Sequence, residues 1–163
     1  FRSTPAVQVV ELHPDDRAGY DEFHGQFESA LCVNVLESVD DPGAVLRSMA
    51  STLKPGGNIV VLVPQGPGLF SRLDEGLGQK RRFTPRQLRE LLESAGFEVL
   101  REEGFNKIGS LSWLISGKLL GQRKMNRLLL KLWDKTVWFW RRADVLMPWR
   151  GLSLIAIARL KAR

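Results

Sequence analysis

One cysteine, two histidines and one tyrosine are all that 163 residues hold of those types. Cys32 therefore has no intrachain disulfide partner, and no Cys/His cluster suggests zinc, so no metal centre is expected. Its place inside Ala30-Leu31-Cys32-Val33 reads as a buried small hydrophobe rather than a nucleophile. No stretch reaches the roughly 18 uninterrupted apolar residues of a spanning helix. Phe1-Arg2-Ser3-Thr4-Pro5 has neither a start methionine nor the apolar run of a signal peptide, and reads as continuing from upstream sequence. Acid is also short: 18 Asp and Glu against 24 Lys and Arg give a net charge of +6. That balance permits an anionic membrane, nucleic acid or acidic ligand without requiring one.

What is present is a strand and helix rhythm. Val7 to Leu12 reads as a strand ended by His13-Pro14-Asp15-Asp16, and Asp16 to Gln26 as loop with one helical turn. Ser29 to Val35 lacks polar alternation, which predicts a strand covered on both faces. Asp40 or Asp41 caps the next helix, with Pro42 in its first turn and Val45, Leu46, Met49 and Leu53 on one face. Pro55-Gly56-Gly57 stops it before a strand over Ile59 to Val63. Gln65 to Lys80 reads as an irregular loop with a short helical insert. Thr84-Pro85 opens a helix striped by Leu88, Leu91 and Leu92, ended by Gly96, and Phe97 to Arg101 begins another strand. Leu111 to Leu120 and Met125 to Met147 read as helices before a last strand, Leu152 to Leu160. The rhythm predicts an α/β fold.

Several motifs then resemble class I S-adenosylmethionine (SAM)-dependent methyltransferases. Phe27-Glu28-Ser29-Ala30-Leu31-Cys32-Val33-Asn34-Val35-Leu36-Glu37-Ser38-Val39 is similar to the family's fourth strand and following turn. Leu53-Lys54-Pro55-Gly56-Gly57 resembles the junction into the fifth. Arg81-Arg82-Phe83-Thr84-Pro85 with Ala95-Gly96-Phe97 resembles the helix into the sixth. The resemblance implies a Rossmann-like sheet ordered 3-2-1-4-5-7-6, with the seventh strand antiparallel. Val7 to Leu12 would be strand 3 and Leu152 to Leu160 strand 7. The family's glycine-rich loop and ribose-binding acid belong upstream of Phe1. Residues 1–163 are therefore expected to be the C-terminal part of one such domain, its sheet incomplete at the N-terminus, with residues 109–149 as a helical insert. Alone, they are expected not to bind SAM usefully.

Ligands of such sheets lie beyond the carboxyl ends of the strands. The resemblance accordingly implies SAM contacts after strands 3 and 4: Asp16 first, then Asp15 and His13 against the adenine, with Asn34 and Glu37 at the mouth of strand 4. Solvated turns and helix caps are the structural alternatives for the same residues. Phe70, Arg81, Arg82 and Phe83 are candidates for the acceptor substrate. Arginine offers a planar fork to an acidic group, although a solvated charge cluster explains Arg81-Arg82 more simply, and core packing is the more frequent job of an aromatic. Ser38 and Gln79 stand where relatives often carry histidine, and neither titrates near neutrality. Methyl transfer can rest on alignment and desolvation instead of a base.

All five tryptophans fall between Leu111 and Arg150, among nine Lys or Arg residues and only Asp134 and Asp144. Packing or a homodimer contact through 111–149 comes first. Contact with an anionic membrane surface, or capture of a hydrophobic substrate, comes second. Nucleic acid comes last, because no recognition motif accompanies the charge. The expected function is SAM-dependent methyl transfer to a small molecule, in the cytoplasm or peripherally at the membrane. The alternative is a non-catalytic domain of the same fold that binds or scaffolds.

Overall fold

The computed structural model describes residues 13–14, 16–119, 121, 131, 135, 138, 142 and 149–161. The strand expected over Val7 to Leu12, the candidate Asp15 and most of the helix expected over Met125 to Met147 lie outside the described residues.

Four strands form one sheet: β1 (Phe27–Val33), β2 (Leu53–Pro64), β3 (Phe97–Phe105) and β4 (Ser153–Leu160), in the order β1-β2-β4-β3. β1 and β2 are parallel, and β4 runs antiparallel to both β2 and β3. That is the expected 4-5-7-6 half of the sheet, with its last strand reversed. The register pairs Cys32 with Val61 and Val61 with Ala156, so one row of small and branched side chains crosses three strands.

The helices form where local chemistry starts them. α1 (Arg17–Asp21) is the single turn expected after Asp16. α2 (Pro42–Thr52) is capped by the Asp41 carboxylate, which accepts from the Ala44 N–H at 2.9 Å, with proline in the first turn. α3 (Arg72–Gly76) is the short insert in the loop after β2. α4 (Pro85–Ser94) begins with a capping box between Thr84 and Gln87. α2 and α4 pack on each other and bury Val45, Leu46, Leu88 and Leu92 against Ile59, Val61 and Phe97. Each fully buried Leu or Val contributes about 1.5–3 kcal/mol.

Three expectations change. β2 starts at Leu53 rather than Ile59, because Lys54 to Gly57 bulges out between the pairs Phe27–Leu53 and Ser29–Asn58 instead of ending a helix. Among the described residues β1 is covered on one face only: Cys32 is buried in the core with side chains of α2 and α4, whereas Leu31 is 67 % exposed. The helix expected from Leu111 begins four residues earlier, as α5 (Lys107–Trp113), and runs on into a π-helical segment, Leu114–Leu119. Asn106 caps α5 by accepting from Gly109 N–H at 3.0 Å.

Candidate functional site

The mouth of β1 is set by Asn34. Its backbone takes the left-handed conformation, φ 52°, which asparagine tolerates better than most residues, while its N–H still reaches Leu62 O at 2.9 Å. The chain thus turns sharply off the strand, and Ser38 N–H closes the turn on Val35 O at 3.0 Å. The turn faces a groove of about 450 Å³ lined by His13, Pro14, Asn34, Val35, Ser38, Val39, Asp40 and Lys80. Lys80 Nζ lies 2.5 Å from Asp40 Oδ1 at the exposed rim. The hydrogen bond from Lys80, reinforced by its charge, holds the Asp40 carboxyl below the usual carboxylate range.

Beside the turn lies a buried polar cluster. Arg82 Nε donates to Asp74 Oδ1 at 2.7 Å, with both side chains almost wholly out of solvent. Arg82 Nη1 donates to Gln65 O at 3.0 Å, and the Arg82 guanidinium carbon stands 4.8 Å from the centre of the Trp113 ring. Asp74 Oδ2 accepts from Ser71 N–H at 2.8 Å, Ser71 Oγ at 3.0 Å and Trp113 Nε1 at 3.1 Å. Glu37 is 1 % exposed. Burial raises its carboxyl above the ordinary range, against the opposing pull of its own backbone N–H and of Arg82. Burial likewise lowers the Arg82 guanidinium, against attraction from Asp74 and, further off, Glu37.

The structure brings His13 and Asn34 together in the groove. Asp16 instead caps α1, accepting from Gly19 N–H at 3.1 Å, and Glu37 lies beneath the turn rather than on the groove wall. The charge cluster at Arg81-Arg82 needs correcting at one residue. Arg82 is not solvated; its donors are committed to Asp74 and Gln65. Arg81 donates from Nη2 to Asp40 O at 3.3 Å near the rim. Phe83 belongs to the hydrophobic core, whereas Phe70 is only half-buried. Sequence reasoning missed Asp74 and Trp113, though Ser71 and Asp74 stand at capping-box spacing, a legible sign of a helix start there. Among the described residues no group of three His, Cys, Asp or Glu side chains could hold a metal ion.

Residues 4–102 match the family model described as Methyltransferase domain, which takes in the groove and most of the strands that shape it. The chain belongs to the methyltransferase domain family. The ubiquinone biosynthesis O-methyltransferase of Marinobacter nauticus is 33 % identical over 91 residues, covering 48 % of this chain and 38 % of that protein. The protein of the same description from Dinoroseobacter shibae is 34 % identical over 108 residues, covering 57 % and 43 %. The matched part thus spans about two-fifths of these curated relatives. Among solved structures, a SAM-dependent methyltransferase of Thermotoga maritima superposes with TM-score 0.55 at 17 % identity, over 85 % of this chain and 58 % of that one. One from Archaeoglobus fulgidus gives 0.53 at 17 %, over 89 % and 65 %. These structures establish a Rossmann-like methyltransferase fold for the chain.

Proposed function

We propose that the protein transfers a methyl group from SAM to a hydroxyl of a small molecule, with the groove at the mouth of β1 holding part of the cofactor. The observation that carries this reading is the placement of that groove at the carboxyl end of a parallel strand in a chain of the methyltransferase family. The lining suits SAM in chemistry and size. Pro14, Val35 and Val39 offer apolar contact to a purine, while Asn34 and Ser38 offer donors and acceptors for nitrogen and hydroxyl groups. About 450 Å³ lies within the roughly 300–1,000 Å³ of small-molecule sites. SAM supplies the methyl on a sulfonium, already bound to a good leaving group. The chain supplies alignment and exclusion of water.

The hydroxyl acceptor is favoured by the O-methyltransferase descriptions of the curated relatives. Asp16 and Asp15 remain proposed cofactor contacts, and Phe70 and Arg81 proposed contacts of the acceptor. Titration calorimetry of the full-length protein with SAM is the test. Heat that S-adenosylhomocysteine abolishes by competition supports the reading, and no heat with either compound sinks it.

The same fold serving as a non-catalytic binding domain is the second reading. The observation in its favour is the chemistry at Ser38 and Gln79, where a titrating imidazole is absent and both described histidines, His13 and His24, are exposed. SAM binding without transfer of labelled methyl to phenolic or amine acceptors would select it.

A further inference from the structure

Among the described residues, two buried side-chain acceptor atoms have no donor: Glu37 Oε2 and Gln79 Oε1. They belong to segments that the backbone ties together, since Lys80 N–H donates to Glu37 O at 2.8 Å and Gln79 N–H to Asp74 O at 2.9 Å. An unpaired buried acceptor is costly, and two on segments joined by a backbone hydrogen bond are costlier still. A single proton shared between the two atoms would resolve both, because a protonated carboxyl is a donor. The charges around Glu37 leave room for that proton. Arg82 is within electrostatic reach, but its Nε and Nη1 are spent on Asp74 Oδ1 and Gln65 O. Asp74 answers the Arg82 charge at 2.7 Å. The buried Cys32 thiol is pushed up to about 12 by burial and, second, by the Glu37 charge, so it stays neutral. Lys80 and Asp40 neutralise each other at the rim.

We propose that Glu37 donates a proton to Gln79 Oε1, and that this hydrogen bond is the positioning device fixing the Lys80 wall of the groove against the mouth of β1. Burial raises the Glu37 carboxyl above its ordinary range, the direction that holding this proton requires. Glu37 and Gln79 are positioning residues in this account, not catalytic ones. The proposal rests on the reading of the groove as the SAM site. When rising pH removes the proton, two acceptors oppose each other, the wall loosens and ligand affinity falls. A neutral hydrogen bond of ordinary strength makes that fall about twofold to tenfold.

The test uses the full-length protein labelled with ¹³C at glutamate carboxyls, the Glu37 signal being the one lost in Glu37→Gln. Its midpoint should lie above that of an ordinary glutamate and fall in Gln79→Leu, because the neutral form loses its acceptor. It should fall also in Asp74→Asn, where Arg82 is released to favour the Glu37 anion. A midpoint that rises in Gln79→Leu would mean that the amide had been donating to a carboxylate, and overturns the proposal, as does an unchanged midpoint. Affinity for S-adenosylhomocysteine is then followed by calorimetry between pH 6 and pH 9. It should weaken with pH in the wild type and stay flat in Glu37→Gln, whose amide keeps a donor without titrating. A flat wild-type profile overturns the positioning role. If no variant binds the compound, the SAM reading fails, while the sign of the Gln79→Leu shift still decides the proton.

Discussion

Trp113 donates its indole N–H to Asp74 across 39 positions of chain, at 3.1 Å, while its ring faces the Arg82 guanidinium that Asp74 also binds. One side chain thus answers both members of a buried ion pair and docks α5 on the loop after β2. Removing one partner of such a pair leaves an uncompensated charge. Asp74→Ala should cost about 3–5 kcal/mol in urea unfolding of the full-length protein. Trp113→Phe keeps the ring and loses one donor, at a cost of about 1 kcal/mol. Replacing Asp74 and Arg82 together by leucine and methionine should recover most of the Asp74→Ala loss. Equal losses in the single and double variants would show that the pair is not a unit.

Asn34 has two separable duties. Its backbone sits at φ 52°, and its side chain lines the groove. Asn34→Gly should leave the melting temperature unchanged or slightly raised, since glycine accepts that φ without strain, while weakening SAM affinity about tenfold for one lost polar contact. Asn34→Ala should lose the same affinity and about 1 kcal/mol of stability as well. Calorimetric SAM titration and thermal melts separate the two effects. Unchanged affinity in both variants would remove Asn34 from the site.

The sequence named Asn34 and Glu37 together as SAM contacts at one strand mouth; the fold sets Asn34 on the groove and buries Glu37 beneath the turn. Strand mouths follow from chain order and motif spacing, so the end of β1 and the capped starts of α2 and α4 could be placed by reading alone. The burial of Arg82 could not. Arg81 and Arg82 are identical in type and adjacent, and only the fold decides that one meets Asp74 eight positions earlier while the other stays near the rim. The same limit hid Trp113, whose partners lie in distant segments. Leu31 failed for the opposite reason: an apolar run predicts two covered faces, but cover requires helices on both sides, and the described residues supply them on one.

Glu37 also imprints the pH dependence of stability. Its folded carboxyl is raised from the ordinary 4.5, so the native state holds its proton where the unfolded chain has released it. Stability from this group is complete below about pH 4.5 and is lost as pH rises through the raised folded value. Glu28 and Asp40, both fully exposed and held below the usual range by Lys54 and Lys80, act in the opposite sense at lower pH. Urea midpoints of wild type and Glu37→Gln should therefore diverge as pH increases from 5 to 8, with the variant gaining. Parallel profiles would show that Glu37 titrates normally.

The insert gives a prediction of a different kind. Leu111, Leu114, Ile115, Leu119, Trp138 and Trp149 are all exposed, and Lys107 and Lys118 are the only charged residues of the described Lys107–Leu119 run. Among the described residues no helix is long and apolar enough to cross a membrane. The full-length protein should co-sediment with anionic vesicles and be released by salt, because basic residues near an anionic surface each contribute about 1 kcal/mol that salt screens. Equal binding to neutral vesicles would reject the electrostatic part.

The outer side of β1 sets the last expectation. Phe27, Leu31 and Val33 are 44 %, 67 % and 42 % exposed, and among the described residues β1 pairs with β2 alone. Its other edge offers a row of backbone N–H and C=O groups beside an apolar face, the pattern that recruits another chain. Unpaired groups of this kind cost about 1–3 kcal/mol each once buried, a large share of the roughly 5–15 kcal/mol that holds a typical domain. Residues 1–163 expressed alone should therefore self-associate, with a broad melt and no useful SAM affinity. Leu31→Lys places a charge on the exposed face, where it cannot be buried cheaply, and should raise the monomer fraction in sedimentation without touching the groove. A sharp-melting monomer of residues 1–163 with micromolar SAM affinity would contradict this, because it would show that neither the edge nor the cofactor site needs anything further.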